Sequence, residues 1–296
     1  MIRKACTVAA PPSLGVALMI ASTTTMPVVD GIAKHLSATY TVLFISWARC
    51  CSGAFWVTPC AIARYKKGLL DRRSLVLLTL RAFLLLAAMM LYYAAIARVP
   101  MADALGAYFI SPIVVTLLSG LLLKERLSIR RVTAVMLGFA GVVIMIRPGL
   151  TTGVGILLAA ASGTTFAFYI LTTRIMNVSG KVAPTVMLAF QYLFGAILLA
   201  PLAWSKLTAG SESLVWLVGL MGALSLLAHG LEIAALRYAQ PSMLAPFMYT
   251  EMVAATLIGY LFFHDFPDQV TWLGITIVVA AGLITLGKEQ GAASHA

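Results

Sequence analysis

Long apolar segments follow one another along almost the whole chain, separated by short polar connections. A run of about 20 apolar residues spans the hydrocarbon core as a helix, and backbone that crosses hydrocarbon must bond internally. The pattern therefore predicts an all-α integral membrane protein with ten transmembrane helices. The predicted segments cover residues 14–33, 42–62, 75–97, 102–123, 132–146, 154–173, 184–203, 214–236, 243–263 and 270–286.

The second half of the chain repeats the first at a spacing of 140 residues. Residues 21–25 read Ala-Ser-Thr-Thr-Thr and residues 161–165 read Ala-Ser-Gly-Thr-Thr, and in the same register Gly15 corresponds to Gly155. Because each half contains an odd number of helices, the second half crosses the membrane in the opposite sense, as in many secondary transporters. The sequence thus predicts two inverted five-helix repeats, with a binding site between them near mid-membrane. The predicted repeats cover residues 13–147 and 153–287.

Composition and charge support a membrane protein and indicate its orientation. The chain is 61% hydrophobic and 10% charged, whereas soluble domains carry about 25% charged residues. The net charge of +11 comes from cations in short loops, which fix orientation and do not indicate nucleic-acid binding. Fifteen Lys and Arg residues outside the segments lie on the side of the N-terminus, which predicts a bacterial inner-membrane protein with both termini in the cytoplasm. The other side carries four, namely Lys34, Arg98, Arg147 and Lys206.

The sequence contains no motif typical of an enzyme or of a metal or cofactor site. A phosphate-binding Gly-Lys-Ser/Thr loop, a His-Glu-x-x-His zinc motif and a nucleophile elbow are all absent. Cys6, Cys50, Cys51 and Cys60 lie in or near apolar segments without metal-ligand spacing, and we interpret them as free thiols.

We single out five charged residues inside the predicted helices, where a charge costs at least about 2.5–3.5 kcal/mol. Arg49 and Glu251 are each about eight residues into their helices, hence roughly 12 Å deep and near one level. Either they meet a charged substrate in a central cavity, or they form a fixed structural ion pair, or Arg49 bonds to helix carbonyls. The other three are Asp30, Arg81 and Glu232.

The remaining intramembrane charges leave alternatives open. Asp30 and Lys34 are four residues apart and share a helix face near the outer end of the first helix, as a salt bridge or as a gate. Arg81 lies one to two turns inside the third helix, where it either snorkels inward or contributes to a gate. His229 and Glu232 are three residues apart, a spacing suited to a proton or substrate contact or to interhelical hydrogen bonds.

Small polar residues and prolines also suggest an internal polar path. The hydroxyl clusters at residues 22–25 and 162–165 either allow close helix contact or line such a path. Pro27, Pro112 and Pro246 are predicted to interrupt their helices, which frees backbone carbonyls that either line a cavity or merely accompany a bend in the bundle.

The chain resembles the drug/metabolite transporter superfamily, in particular its ten-helix EamA-type members. The resemblance rests on the two repeats, on the run from Pro112 through Glu125-Arg126-Leu127 to Gly138-Phe-Ala-Gly141, and on Pro246 to Asp265, Gly274 and Gly282 in the second half. The Asp30-x3-Lys34 pair followed by Arg49 resembles the subgroup of riboflavin and S-adenosylmethionine carriers. His264-Asp265 departs from the Gly-Glu pair that is usual in the family.

The resemblance implies a cavity lined by the first, third, fourth, sixth, eighth and ninth helices. It places the hydroxyls of Tyr92, Tyr108 and Tyr249 around that cavity. We therefore expect a secondary transporter of a small metabolite, such as an amino acid, a vitamin or cofactor, or a drug-like compound. The alternative is a non-transporting scaffold subunit. The lipid bilayer and a small-molecule substrate are the expected partners, and proton coupling and a homodimer stay open.

Overall fold

The computed structural model describes residues 12–37, 39–64, 71–96, 98–99, 101–125, 127–146, 153–204, 212–263 and 269–286. Within these ranges the chain forms helices and no strand. The helices are α1 (Pro12–Ser37), α2 (Val42–Arg64), α3 (Arg72–Ile96), α4 (Met101–Tyr108), α5 (Ser111–Leu122), α6 (Ile129–Ile146), α7 (Val154–Ser179), α8 (Pro184–Trp204), α9 (Glu212–Tyr238), α10 (Pro241–Met248), α11 (Thr250–Phe263) and α12 (Gln269–Leu286).

These helices have the apolar exterior of a membrane protein. By length and composition six of the described helical segments could span a bilayer, and the fold is an all-α membrane bundle. Large apolar side chains such as Phe55 and Trp216 are 73% and 81% exposed. In a bilayer this surface faces lipid, so its exposure carries no hydrophobic penalty.

Two of the predicted spans are broken near their middle. The segment predicted over residues 102–123 consists of α4 and α5, and the one over residues 243–263 consists of α10 and α11. Pro112 lies in the first turn of α5 and has no N–H for the carbonyl four residues earlier, that of Tyr108. Pro246 lies within α10, shortly before the second break at Tyr249. The interruption predicted at Pro112 therefore occurs, whereas α10 continues through Pro246 and the second span is interrupted only at Tyr249.

The interruption predicted at Pro27 is wrong, because α1 continues through this proline. Pro59 and Pro201 likewise lie inside α2 and α8. Inside a membrane bundle, hydroxyl side chains and neighbouring helices satisfy the backbone groups that a proline frees, so a proline alone does not end a helix.

The 140-residue register of the sequence holds for the boundaries of the helices. Helix α10 begins and ends 140 residues after α4, and α12 begins and ends 140 residues after α6. The two breaks also correspond, since residues 109 and 249 are the first non-helical residues in each. The duplication is thus a property of the backbone as well as of the residue pattern.

The packing between the halves follows the same register. Helix α1 packs on α9, and α7, the counterpart of α1, packs on α3. The Oγ of Ser22 donates to the carbonyl of Ala228 at 2.8 Å, and the Oγ of Ser162 donates to that of Ala88 at 2.7 Å. The two donors, Ser22 and Ser162, are 140 positions apart, and so are the two acceptors, Ala88 and Ala228. The two hydrogen bonds are therefore equivalent by the internal symmetry.

The two repeats are inverted with respect to each other. Helix α2 packs on its own counterpart α8, where Trp47 Nε1 donates to the carbonyl of Ala196 at 3.1 Å. Further along α2, Gly53 faces the ring of Tyr192. Positions increase along α2 while the contacted positions decrease along α8, so the two helices are antiparallel. Counterparts that run antiparallel belong to repeats with opposite senses across the bilayer.

Candidate functional site

A cavity of about 130 Å³ lies between the two repeats. Its lining comes from α1, α3, α4, α7, α9, α10 and α11, the helices of the six spans expected to surround it. Helices α2 and α8 also contribute, through Arg49 and Cys50 and through Gln191, Tyr192 and Gly195, so the lining is wider than predicted. Seven of the predicted site residues line the cavity, namely Asp30, Arg49, Tyr92, Tyr108, His229, Glu232 and Glu251.

Arg49 is the cation of the cavity wall. Its Nε donates to Ser225 Oγ at 2.7 Å, and its Nη2 lies 3.5 Å from His229 Nε2. Ser225 Oγ also lies 2.9 Å from the hydroxyl of Tyr192, so α2, α8 and α9 meet in one polar network. These bonds fix the guanidinium beside the cavity, and Arg49 as a whole is 7% exposed.

His229 connects Arg49 to Glu232. A guanidinium can only donate, so the Nε2 of His229 accepts and the Nδ1 carries the proton in the neutral ring. Nδ1 lies 3.4 Å from Glu232 Oε2, which is ion-pair distance, and makes no hydrogen bond to a described residue. The other carboxylate oxygen of Glu232, Oε1, is buried without a hydrogen-bond partner among the described residues.

Glu251 and Asp30 supply two further carboxylates. Glu251 lies in the first turn of α11, directly after the break, where the helix N-terminus stabilises a negative charge. The ion pair predicted as one alternative for Arg49 and Glu251 is not formed, because Arg49 bonds to Ser225 and His229 instead. Within the described chain neither Asp30 nor Glu251 has a hydrogen bond or ion pair from its side chain.

Aromatic and thioether side chains form the apolar part of the lining. The rings of Tyr92 and Tyr108 meet edge to face with centroids 5.5 Å apart, and Tyr108 contacts Phe166 at 5.8 Å. Met89 and Met248 also line the cavity. Such surfaces pack against the flat or apolar part of a ligand and leave the tyrosine hydroxyls for polar contacts.

Arg81 does not snorkel to the membrane surface, so the snorkelling prediction is wrong, and it does not line the cavity. It is fully buried between α3, α7 and α8, with Nε donating to Thr173 Oγ1 at 2.8 Å and Nη2 to the Tyr169 hydroxyl at 2.7 Å. Its Nη1 donates to the carbonyl of Met187 at 3.3 Å, and its guanidinium carbon lies 4.6 Å from the centre of the Tyr169 ring. These partners hold the charge in the bundle, where a neutral hydrogen-bond network replaces water.

Tyr249 was predicted to line the cavity and does not. Its ring is fully buried against Phe109, with centroids 5.8 Å apart, and its hydroxyl has no partner among the described residues. Phe109 and Tyr249 stand 140 positions apart, so they are counterparts that meet at the symmetry axis. The side chain of Lys34 and the pair His264-Asp265 lie outside the described residues.

Sequence reasoning missed a polar cluster that joins the halves at one end of the bundle. Glu125 Oε2 accepts from Ser242 Oγ at 2.7 Å and from its amide at 3.4 Å, in the first turn of α10. Arg131 Nη1 donates to Gln240 Oε1 at 2.7 Å, and Arg174 Nη1 donates to the carbonyl of Leu236 at 2.6 Å. The Glu125-Arg126-Leu127 run was the available signal, and Glu125 caps α10 across the repeat boundary.

No set of three His, Cys, Asp or Glu side chains suited to a metal ion occurs among the described residues. The described thiols of Cys50, Cys51 and Cys60 are free.

Comparison with known families matches both halves of the chain. The profile of the EamA-like transporter family aligns with residues 13–147 and again with residues 153–287. The chain belongs to the EamA-like transporter family. It is therefore a membrane transporter by family and not an enzyme, and the duplicated family domain agrees with the repeat seen in the helices.

Relatives of the chain include proteins named for different cargoes. The pseudopaline exporter CntI of Pseudomonas aeruginosa is 27% identical over 94% of this chain and 97% of its own length. An S-adenosylmethionine uptake transporter of Rickettsia bellii is 24% identical over 95% of this chain and 96% of its own. A riboflavin transporter of Vibrio cholerae is 28% identical over 68% of this chain and 67% of its own.

A solved crystal structure has the same fold. It superposes with a TM-score of 0.76 over 93% of this chain and 97% of its own length, at 18% sequence identity. This likeness supports the architecture of the bundle and says nothing about cargo.

Proposed function

We propose that this protein is a secondary transporter that moves a small, charged, amphipathic metabolite through the cavity between its repeats by alternating access. The observation that carries the proposal is the clustering of Asp30, Arg49, Glu232 and Glu251 around one cavity at the repeat interface. Charges in a bilayer are costly and generally serve a substrate or ion pathway. The names of the relatives agree on small metabolites and differ in cargo and direction.

In this proposal each part of the lining has a role. Arg49 binds an anionic group of the substrate, and Glu251 binds a cationic or hydrogen-bond-donating group. His229 and Glu232 extend the polar surface, and Tyr92 and Tyr108 cover the apolar part. Asp30 belongs to the outer vestibule with Lys34, and the carboxylates are the groups through which proton coupling would act. Arg81 anchors α3 to α7 and α8.

The proposed domains are the two inverted five-helix units, residues 13–147 and 153–287. The excess of loop cations on the side of the N-terminus supports insertion in a bacterial inner membrane with both termini in the cytoplasm. Fusion of a fluorescent protein or a periplasmic phosphatase to the C-terminus tests this orientation. We expect the fusion with the fluorescent protein to fluoresce and the fusion with the phosphatase to be inactive. A dark first protein together with an active phosphatase would contradict the orientation.

The transport assay uses purified protein in proteoliposomes offered labelled vitamins, amino acids, nucleosides and S-adenosylmethionine. Arg49→Ala and Glu251→Ala are expected to abolish flux while the protein still inserts. Arg49→Ala removes the charge that binds the anionic group of the substrate, and Glu251→Ala removes the charge that binds its cationic or hydrogen-bond-donating group. Asp71→Asn is the matched control, since Asp71 lies at the surface, just before α3, in an exposed ion pair with Lys181 and does not line the cavity.

Wild-type flux in either alanine variant removes that residue from the mechanism. Silent flux for every class of compound, from protein that is folded and correctly reconstituted, favours the scaffold alternative. Proton coupling is tested by imposing a pH gradient across the proteoliposome membrane. Uptake driven by the gradient indicates coupling, and uptake unaffected by it indicates transport without protons. Size-exclusion chromatography with light scattering decides whether a homodimer forms.

A further inference from the structure

The cavity has two opposite walls that the internal symmetry relates to each other. Helices α1 and α9 pack together and form the α1–α9 wall, while their counterparts α7 and α3 form the α3–α7 wall. Five cavity positions of each wall correspond in the 140-residue register. The α1–α9 wall has Ser22, Met26, Asp30, His229 and Glu232. In the same order, their counterparts on the α3–α7 wall are Ser162, Phe166, Ile170, Met89 and Tyr92.

The two walls share a backbone but differ in chemistry. Where the α1–α9 wall has Asp30, the α3–α7 wall has Ile170. Glu232 corresponds to Tyr92, and Arg49 on the neighbouring α2 corresponds to the apolar Ala189 of α8. The second repeat adopts the same fold with apolar or aromatic residues at the positions that correspond to Asp30, Glu232 and Arg49. The fold therefore does not require a charge at these three positions. A charge in a bilayer protein that the fold does not require is best explained by a ligand.

The polar groups of the cavity include more acceptors than donors. Glu232 Oε1 and Gln191 Oε1 are buried acceptors, in residues only 5% and 6% exposed, without a hydrogen-bond partner among the described residues. Among the described lining residues, one buried donor, His229 Nδ1, also has no hydrogen-bond partner. The carboxylates of Asp30 and Glu251 face the same cavity. A buried acceptor without a partner costs about 1–3 kcal/mol, so these oxygens favour a ligand that brings N–H donors or positive charge.

The formal charges favour the same kind of ligand. Three carboxylates line the cavity, and Arg49 is the single Lys or Arg among the described lining residues. Arg49 is already bonded to Ser225 and is joined to Glu232 through His229. Asp30 interacts electrostatically with Arg49 but forms no ion pair with it, and Glu251 has no countercharge in the described part of the lining. Tyr92 and Tyr108, whose rings meet near these residues, add aromatic faces of the kind that bind cations.

We propose that the substrate is a small amphipathic molecule with a cationic centre, either an organic cation or a zwitterion. This proposal rests on the transport function proposed above and specifies its substrate class. The cationic centre lies against the α1–α9 wall between Asp30, Glu232 and Glu251. The apolar or ring part lies on Met89, Phe166 and the tyrosines of the opposite side. A carboxylate, where the substrate has one, binds Arg49.

The test is a competitive uptake experiment with proteoliposomes. A defined mixture with equal numbers of organic cations, zwitterions, neutral compounds and anions of similar size is offered, and mass spectrometry measures the uptake of each compound. The variants are Asp30→Asn and Glu251→Gln, which keep shape and remove charge, and Asp71→Asn is the matched control outside the cavity. Equal amounts of monodisperse protein are reconstituted in each case.

The expected result is that the compounds taken up contain a cationic centre. Their flux falls about tenfold or more in Asp30→Asn and Glu251→Gln, as expected for loss of a charge-assisted contact, and is unchanged in Asp71→Asn. Uptake confined to anions or neutral compounds overturns the proposal and leaves the transport function standing. Wild-type cation flux in both cavity variants also overturns it. Absence of uptake for every class overturns the transport function itself, which is a different outcome.

Discussion

At the scale of single residues, the sequence showed which charges lie inside the bilayer but not which way they face. Asp30, Arg49, Glu232 and Glu251 face the cavity, whereas Arg81 is enclosed by three helices. Depth follows from counting residues along a helix, but the facing direction depends on the neighbours that pack against it. The partners of Arg81 are 88 to 106 residues away in the sequence, so no local pattern could reveal them.

Arg81 gives a residue-scale prediction about stability. Its counterpart in the second repeat is Met221, which is also fully buried. Arg81→Met should therefore keep a melting temperature near that of the wild type, because replacing a buried charge by an apolar side chain of similar volume is often neutral. Arg81→Ala should lose about 2–5 kcal/mol, because it leaves a void.

Thermal unfolding of both variants in the same detergent measures the difference. Equal and large destabilisation of the two would mean that the hydrogen bonds of the guanidinium, and not its volume, hold α3 to α7 and α8.

Tyr249 gives a second prediction, opposite to that for a cavity residue. Its hydroxyl is buried without a described partner, and its counterpart Phe109 has no hydroxyl. Tyr249→Phe should raise stability by about 1 kcal/mol and leave transport unchanged, because it removes an unsatisfied polar group and no cavity contact. Tyr108→Phe, within the cavity lining, serves as the comparison. Loss of flux in Tyr249→Phe would return this residue to the substrate path.

At the scale of helices, proline and glycine act as a pair across two elements. Pro112 deprives the Tyr108 carbonyl of its helical donor, and this carbonyl lies against Gly163 of α7. A Cβ at Gly163 would overlap the carbonyl oxygen of Tyr108 and its carbonyl carbon. The break between α4 and α5 therefore requires the absence of a side chain on the neighbouring helix. The sequence predicted the break from Pro112, but not the helix that faces it.

Gly163→Ala is accordingly expected to destabilise the protein by about 1–3 kcal/mol, the usual cost of overpacking. The matched control is Gly219→Ala on α9, where no atom lies within 4 Å of an added Cβ. That control should be neutral or stabilising by up to about 1 kcal/mol, because alanine is the better helix former. Denaturation of both variants in one detergent gives the comparison. A neutral Gly163→Ala would show that the contact with Tyr108 gives way at little cost.

At the scale of the whole molecule, the sequence predicted the symmetric part of the structure better than the asymmetric part. The 140-residue register predicted the repeated helices, and the symmetric hydrogen bonds of Ser22 and Ser162 follow the same register in the structure. It could not predict that charged residues gather on the α1–α9 wall while their counterparts are apolar. That difference becomes visible only when the packing of α1 on α9, and of α3 on α7, shows which positions face one cavity.

The central claim is that this cavity opens in turn to the two sides of the membrane. Cys50 tests it directly, because this thiol lines the cavity beside Arg49 and is buried. In a variant that retains Cys50 as its single cysteine, a membrane-impermeant thiol reagent is applied from one side and then from the other, with Cys50→Ser as the unreactive control. The account predicts modification from both sides, inhibition of flux by the modification, and slower reaction when transported substrate is present. Reaction from one side alone, unaffected by substrate, would contradict alternating access through this cavity.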